Sequence, residues 1–156
     1  MARDGRVAPA VVSGAAGAVA LTAIHQLARH RLEYPPRMDV LGKRALARLM
    51  RSAGWMPRDE QVLERNAFAG DLVANTAYYA AVSLAPRHPL RCGVLLGVAA
   101  GLGALLLPPV MGLGYPPHSN AWSNRVMTVA WYTLGGLVAG GTFAALGHDR
   151  DTTGRA

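Results

Sequence analysis

Long runs without formal charge alternate with short, strongly charged segments along this chain. The uncharged runs cover residues 7–28, 66–86 (interrupted only by Asp71), 92–124 and 126–148. At about 1.5 Å of rise per helical residue, ~20 residues cover the ~30 Å of hydrocarbon in a bilayer. The pattern predicts an all-α polytopic membrane protein, a bundle of four transmembrane helices in one membrane domain over residues 1–156, with spans near 7–28, 66–86, 92–113 and 126–148.

The first connector has a pattern of its own. Met38, Leu41, Ala45, Leu46, Leu49, Met50 and Ala53 fall on one side of a helical wheel, with Lys43, Arg44, Arg48 and Arg51 on the other. This spacing predicts a basic amphipathic helix over about 38–53, with Asp39 as its N-cap and Gly54 at its end. It is expected to lie at the membrane surface or to pack on the ends of the spanning helices, with Lys43, Arg44, Arg48 and Arg51 available to anionic lipid headgroups. A further helix is expected to start near Pro57, with Asp59 and Glu60 in its first turn, and to run into the second span.

Charge then sets orientation. Nine of the 16 Lys and Arg residues lie between Arg29 and Arg65, and a tenth, Arg125, belongs to the same side if four spans alternate. The other side has the remaining six, so the arginine-rich connector is expected in the cytoplasm, with both termini outside. The formal charge of +7 is therefore read as an orientation signal, and no nucleic-acid motif accompanies it. Arg3 and Arg6 before an apolar run resemble a signal peptide, but the run of 22 uncharged residues is long for one, and cleavage would leave the connector outside. The first run is thus expected to stay as a spanning helix. The bias toward Ala, Gly and Arg suggests a bacterial plasma (inner) membrane. A single cysteine, Cys92, excludes an intrachain disulfide.

Small residues recur at helical spacing within the spans: Gly93, Gly97 and Gly101; Gly136 and Gly140; Ser13 with Gly17 and Gly14 with Ala18. Lipid tails give helices no hydrophobic reason to associate, so close backbone approach through such grooves is the expected attraction. Partner membrane helices or a second copy of the chain are candidate companions in the bilayer.

Candidate chemistry is sparse. Asp71 is the one formal charge well inside a span, and Asn75 and Tyr78 follow it on the same helical face. His25 lies on the packed face of the first span. The segment from Pro108 to Arg125, with prolines at 108, 109, 116 and 117 and glycines at 112 and 114, should break helical hydrogen bonding and leave carbonyls in need of partners. His118 and Arg125 belong to it. The candidate polar cluster is therefore His25, Asp71, Asn75, Tyr78, His118 and Arg125, at the cytoplasmic mouth of the bundle. Trp122, Trp131, Tyr115 and Tyr132 read as an aromatic belt. No metal-ligand spacing, phosphate-binding loop or nucleophile elbow occurs, so no metal or cofactor is expected and no catalytic residue is assigned.

Two segments resemble YagU-type bacterial inner-membrane proteins: the first span with Gly14, Ala16 and Gly17 leading to Tyr34, Pro35, Pro36 and Arg37, and the run from Pro109 to Pro117 followed by Trp122 and Trp131. The resemblance implies a small polytopic inner-membrane protein and transfers no catalytic residue. The first functional reading is a structural or accessory membrane protein, its polar groups serving as helix glue. The alternatives are a small proton- or cation-coupled transporter using Asp71, and a membrane enzyme acting on a lipid or isoprenoid, with His25 or Asp71 as general base and Arg125 holding an anionic headgroup.

Overall fold

Helices α1 (Asp4–Arg31), α2 (Met38–Ser52), α3 (Glu60–Tyr79), α4 (Pro89–Val110) and α5 (Trp122–Thr153) carry almost all of the ordered backbone, and a short 3-10 helix, Ala80–Leu84, extends α3. The computed structural model describes residues 4–56, 59–117 and 121–153, with side chains described over 7–56, 59–117 and 121–147. Among the described residues there is no strand. Three helices are long and apolar enough to cross a membrane: Val7–Arg31, Pro89–Val110 and Trp122–Gly147. This makes the chain an all-helical membrane protein. Helix α3 falls outside that set, because Glu60, Glu64, Arg65 and Asp71 interrupt its apolar character.

Helix α5 is the hub, packing on α4 along one side and on α1 along the other, while α3 covers α1 and the 3-10 helix. The α4/α5 seam is closed by backbone contact. A Cβ placed on Gly93 would collide with the carbonyl of Gly136, and one on Gly97 would lie 2.5 Å from Thr133 Cα. The seam therefore admits no side chain at these positions, and dispersion between backbones replaces the hydrophobic effect as the attraction. The inner core gathers Leu21, Tyr79, Val82, Ala139 and Phe143, with Leu96, Trp131 and Tyr132 against it. Two tyrosine hydroxyls cross helices: Tyr79 donates to Tyr132 O at 2.7 Å and Tyr78 donates to Leu96 O at 2.9 Å. Away from α5, α4 presents bare Leu95, Leu106 and Val110, a surface suited to acyl chains.

The helix ends follow from local chemistry. Asp59 caps α3 by accepting from Gln61 N and Val62 N. Helix α2 stops where Gly54 takes φ +76°, with Trp55 N donating to Met50 O and Gly54 N to Arg51 O. Helix α4 stops the same way at Gly112 (φ +70°), through Leu113 N to Pro108 O and Gly112 N to Pro109 O. Thus Pro108 and Pro109 sit inside the last turn of α4 and do not end it; the glycine beyond them does.

Three further expectations need correction. Helix α3 starts at Glu60, not near Pro57: Asp59 is extended and caps the helix from outside its first turn. Asp39 is not the N-cap of α2: that position is Arg37, which makes no side-chain cap. The Asp39 carboxylate is occupied by two hydrogen bonds from the Arg37 guanidinium, both 2.9 Å. The aromatic belt also divides. Trp122 and Tyr115 are exposed near the connector end, whereas Trp131 and Tyr132 turn inward, their rings edge-on to His25 at 5.1 Å and 6.0 Å. Helix rotation decided this, because Tyr132 shares a face with the buried Thr128 and Gly135.

Candidate functional site: a polar chamber beneath α2

One face of α1 supplies Thr22, His25, Gln26 and Arg29, at the i, i+3, i+4 and i+7 spacing that keeps side chains on a single side of a helix. Opposite them α3 presents Glu64, Arg65, Ala67, Phe68 and Asp71, the continuation of the face that buries Leu63. Tyr132 closes the space from α5, and Met38, Asp39, Gly42 and Lys43 of α2 lie across it. Together they enclose an open chamber of about 430 Å³, the size of a small-ligand site.

The charges divide by depth. In the connector, Asp39 is paired with Arg37 and lies 3.7 Å from Arg29, and Lys43 holds Glu60 at 2.9 Å. Burial alone would push the Asp39 carboxyl up, but the hydrogen bonds and charge of Arg37, aided by Arg29, outweigh it and hold the group below its ordinary value. The hydrogen bond to Glu60 raises Lys43. These pairs fasten α2 to α1 and α3.

Deeper groups are left over. Asp71 takes part in none of the three ion pairs among the described residues; the polar group beside it is the amide of Asn75, one turn on in its own helix. It remains exposed, as a side chain lining an open chamber is. His25 Nε2 and Thr22 Oγ1 are buried without a hydrogen-bond partner among the described residues. A buried polar atom left unpaired costs about 1–3 kcal/mol, so these two atoms add nothing to the bundle's cohesion.

Of the predicted cluster, the fold brings His25 and Asp71 into one chamber with Asn75 beside Asp71. Tyr78 is elsewhere, bonded to α4. Arg125 is exposed and does not line the chamber. His118 lies outside the described residues. Sequence reasoning missed Thr22, Arg29 and Arg65 as lining groups; the i, i+3 and i+7 spacing from Thr22 to Arg29 was the available signal.

The basic face of α2 has a second engagement. Arg44 Nη1 donates to Leu113 O and Tyr115 O, both at 3.0 Å, and Arg48 Nη1 donates to Met111 O at 2.8 Å. These are carbonyls of the proline- and glycine-rich segment, released from helical bonding and met by cations. The contact places α2 and the 111–117 segment at the same end of the bundle. The apolar face of α2 is rearranged accordingly: Leu41 and Ala47 are buried, while Leu49 is 66% exposed. Comparison with protein-family models, with curated proteins and with solved structures returned no match for this chain.

Proposed function

We propose that this chain is a four-span protein of a bacterial plasma membrane, with its basic connector and α2 on the cytoplasmic face, and that it works as a small proton- or cation-coupled transporter through Asp71. The fourth crossing is α3 with its 3-10 extension. From Glu60 to Leu84 it measures about 35 Å, and it runs antiparallel to α1, with Thr76 and Ala80 against Gly14. Its charges at Glu60, Glu64 and Arg65 fall in the first turns, at headgroup depth. The resemblance to YagU-type proteins implies the same setting.

The observation that carries the transport reading is Asp71, without an ion pair among the described residues, in a chamber with His25 and Thr22, whose Nε2 and Oγ1 have no partner among those residues. Helix glue spends its polar groups across seams, and here the seams are closed by glycine contacts and by Tyr78 and Tyr79. An intramembrane carboxylate facing a cavity is suited to bind and release a proton or cation. A structural or accessory role is the second reading. It is favoured by the tight α4/α5 seam, which offers little room for the helix movement that alternating access requires.

Proteoliposomes loaded with a pH-sensitive dye separate the two. Under transport, the wild type dissipates an imposed pH gradient in exchange for sodium, potassium or tetraphenylphosphonium, and Asp71→Asn abolishes the exchange while its thermal stability is retained. Flux equal to that of protein-free vesicles with all three cations refutes transport and leaves the accessory role.

A further inference from the structure

We propose that Arg44, Arg48 and Arg51, with the 111–115 turn, form a binding site for the phosphate of an anionic glycerophospholipid. The inference rests on the chain lying in a bilayer and is independent of whether Asp71 transports anything. The three arginines line one side of α2 around an open cleft completed by Gly112 and Leu113. Two of them are held in place. Each uses a single nitrogen on turn carbonyls, Arg44 Nη1 on Leu113 O and Tyr115 O and Arg48 Nη1 on Met111 O. Their Nε and Nη2 donors are unspent among the described residues, and Arg51 makes no side-chain bond there.

Gly112 is part of the device. Its left-handed backbone ends α4, and a Cβ at this position would lie 2.7 Å from Arg48 Nη1. The absence of a side chain thus lets the guanidinium reach the turn. Three guanidiniums with free donors and no carboxylate among the cleft residues make a cationic socket for phosphate oxygens.

Depth selects a lipid as the source of that phosphate. The turn follows directly on Val110, the last residue of a membrane-crossing helix, so it sits where headgroups lie. Beside the cleft, Leu49, Val110 and Met111 are 66%, 85% and 57% exposed, an apolar rim placed to take the first carbons of acyl chains. A soluble phosphate would have no use for such a rim.

The full-length protein in phosphatidylcholine nanodiscs, titrated with phosphatidylglycerol and followed by thermal stability and native mass spectrometry, tests the site. Saturable stabilisation by phosphatidylglycerol is expected. Arg51→Gln, which breaks no turn bond, should bind about fivefold more weakly, as loss of one cation at a membrane surface predicts. Arg87→Gln, in the 85–88 connector at the opposite end, should bind as the wild type does. Unchanged affinity in Arg51→Gln, or an equal loss in Arg87→Gln, would overturn the site. Equal stabilisation by inorganic phosphate at matched concentration would overturn the lipid as its occupant.

Discussion

Adding one methyl group at Gly97 tests the packing on which the bundle depends. A Cβ there would lie 2.5 Å from Thr133 Cα and 2.6 Å from Tyr132 O, against an ordinary contact of about 3.4 Å. Both neighbours are backbone atoms of a helix and have no rotamer to change. The helices must therefore part by about 0.9 Å. A gap of 0.5–1 Å forfeits roughly a quarter to a half of the ~0.1–0.2 kcal/mol in each atom pair, and over the tens of pairs in this seam the loss is about 2 kcal/mol. Reversible unfolding in mixed micelles of mild detergent and dodecyl sulfate, followed by the fluorescence of Trp131 beside the core with Trp55 and Trp122 replaced by Phe in every variant, measures it. Gly70→Ala is the internal control, since a Cβ at Gly70 meets nothing within 4 Å. There the better helix propensity of alanine should be neutral or stabilise by up to ~1 kcal/mol. Wild-type stability in Gly97→Ala, or comparable destabilisation in Gly70→Ala, would refute the close-contact account.

Three further outcomes are expected. Tyr79→Phe removes a buried hydroxyl that donates to Tyr132 O and should destabilise the bundle by about 1–2 kcal/mol in the same micelle titration. Because Asp39 is held below its ordinary value, its contribution is fully present above the unfolded value near 4 and is lost as pH falls through the lower folded value. Hydrogen exchange of α2 should thus lose protection on acidification in that window, and Asp39→Asn should remove the Asp39-dependent part of that pH response; an unchanged pH response in the variant would count against the Arg37 pairing. With Cys92→Ser as background, Trp55→Cys, at an exposed connector position, should react with a membrane-impermeant maleimide only after the cells are permeabilised. Labelling from outside would invert the orientation.

Much of the architecture was legible because its causes are local. The charge-free runs marked α1, α4 and α5, Gly54 marked where α2 stops, and the four-residue repeat of Gly93, Gly97 and Gly101 marked a packing face. Pro57 marked the start of α3 too early, since Asp59 is its cap. The chamber was legible only in part. His25 and Asp71 stood out as polar groups in apolar runs, yet Tyr132 read as a belt residue, Asp39 as a cap, and Tyr78 as a chamber group when its hydroxyl in fact bonds α4. Each of these assignments turned on which neighbour a side chain meets.

Hydropathy, helix stops and net charge are properties of a residue and its nearest neighbours along the chain, so the amino-acid order alone determined that this polypeptide is helical, enters a bilayer and concentrates its arginines at one end. The rotation of each helix about its axis and its depth against the next are set by contacts between residues far apart in sequence. Arg48 meets the carbonyl of Met111 and Gly93 meets that of Gly136 only once five helices are packed together. Tertiary packing alone therefore decided which arginine nitrogens meet turn carbonyls, and that Asp71 lines an open chamber without an ion pair among the described residues.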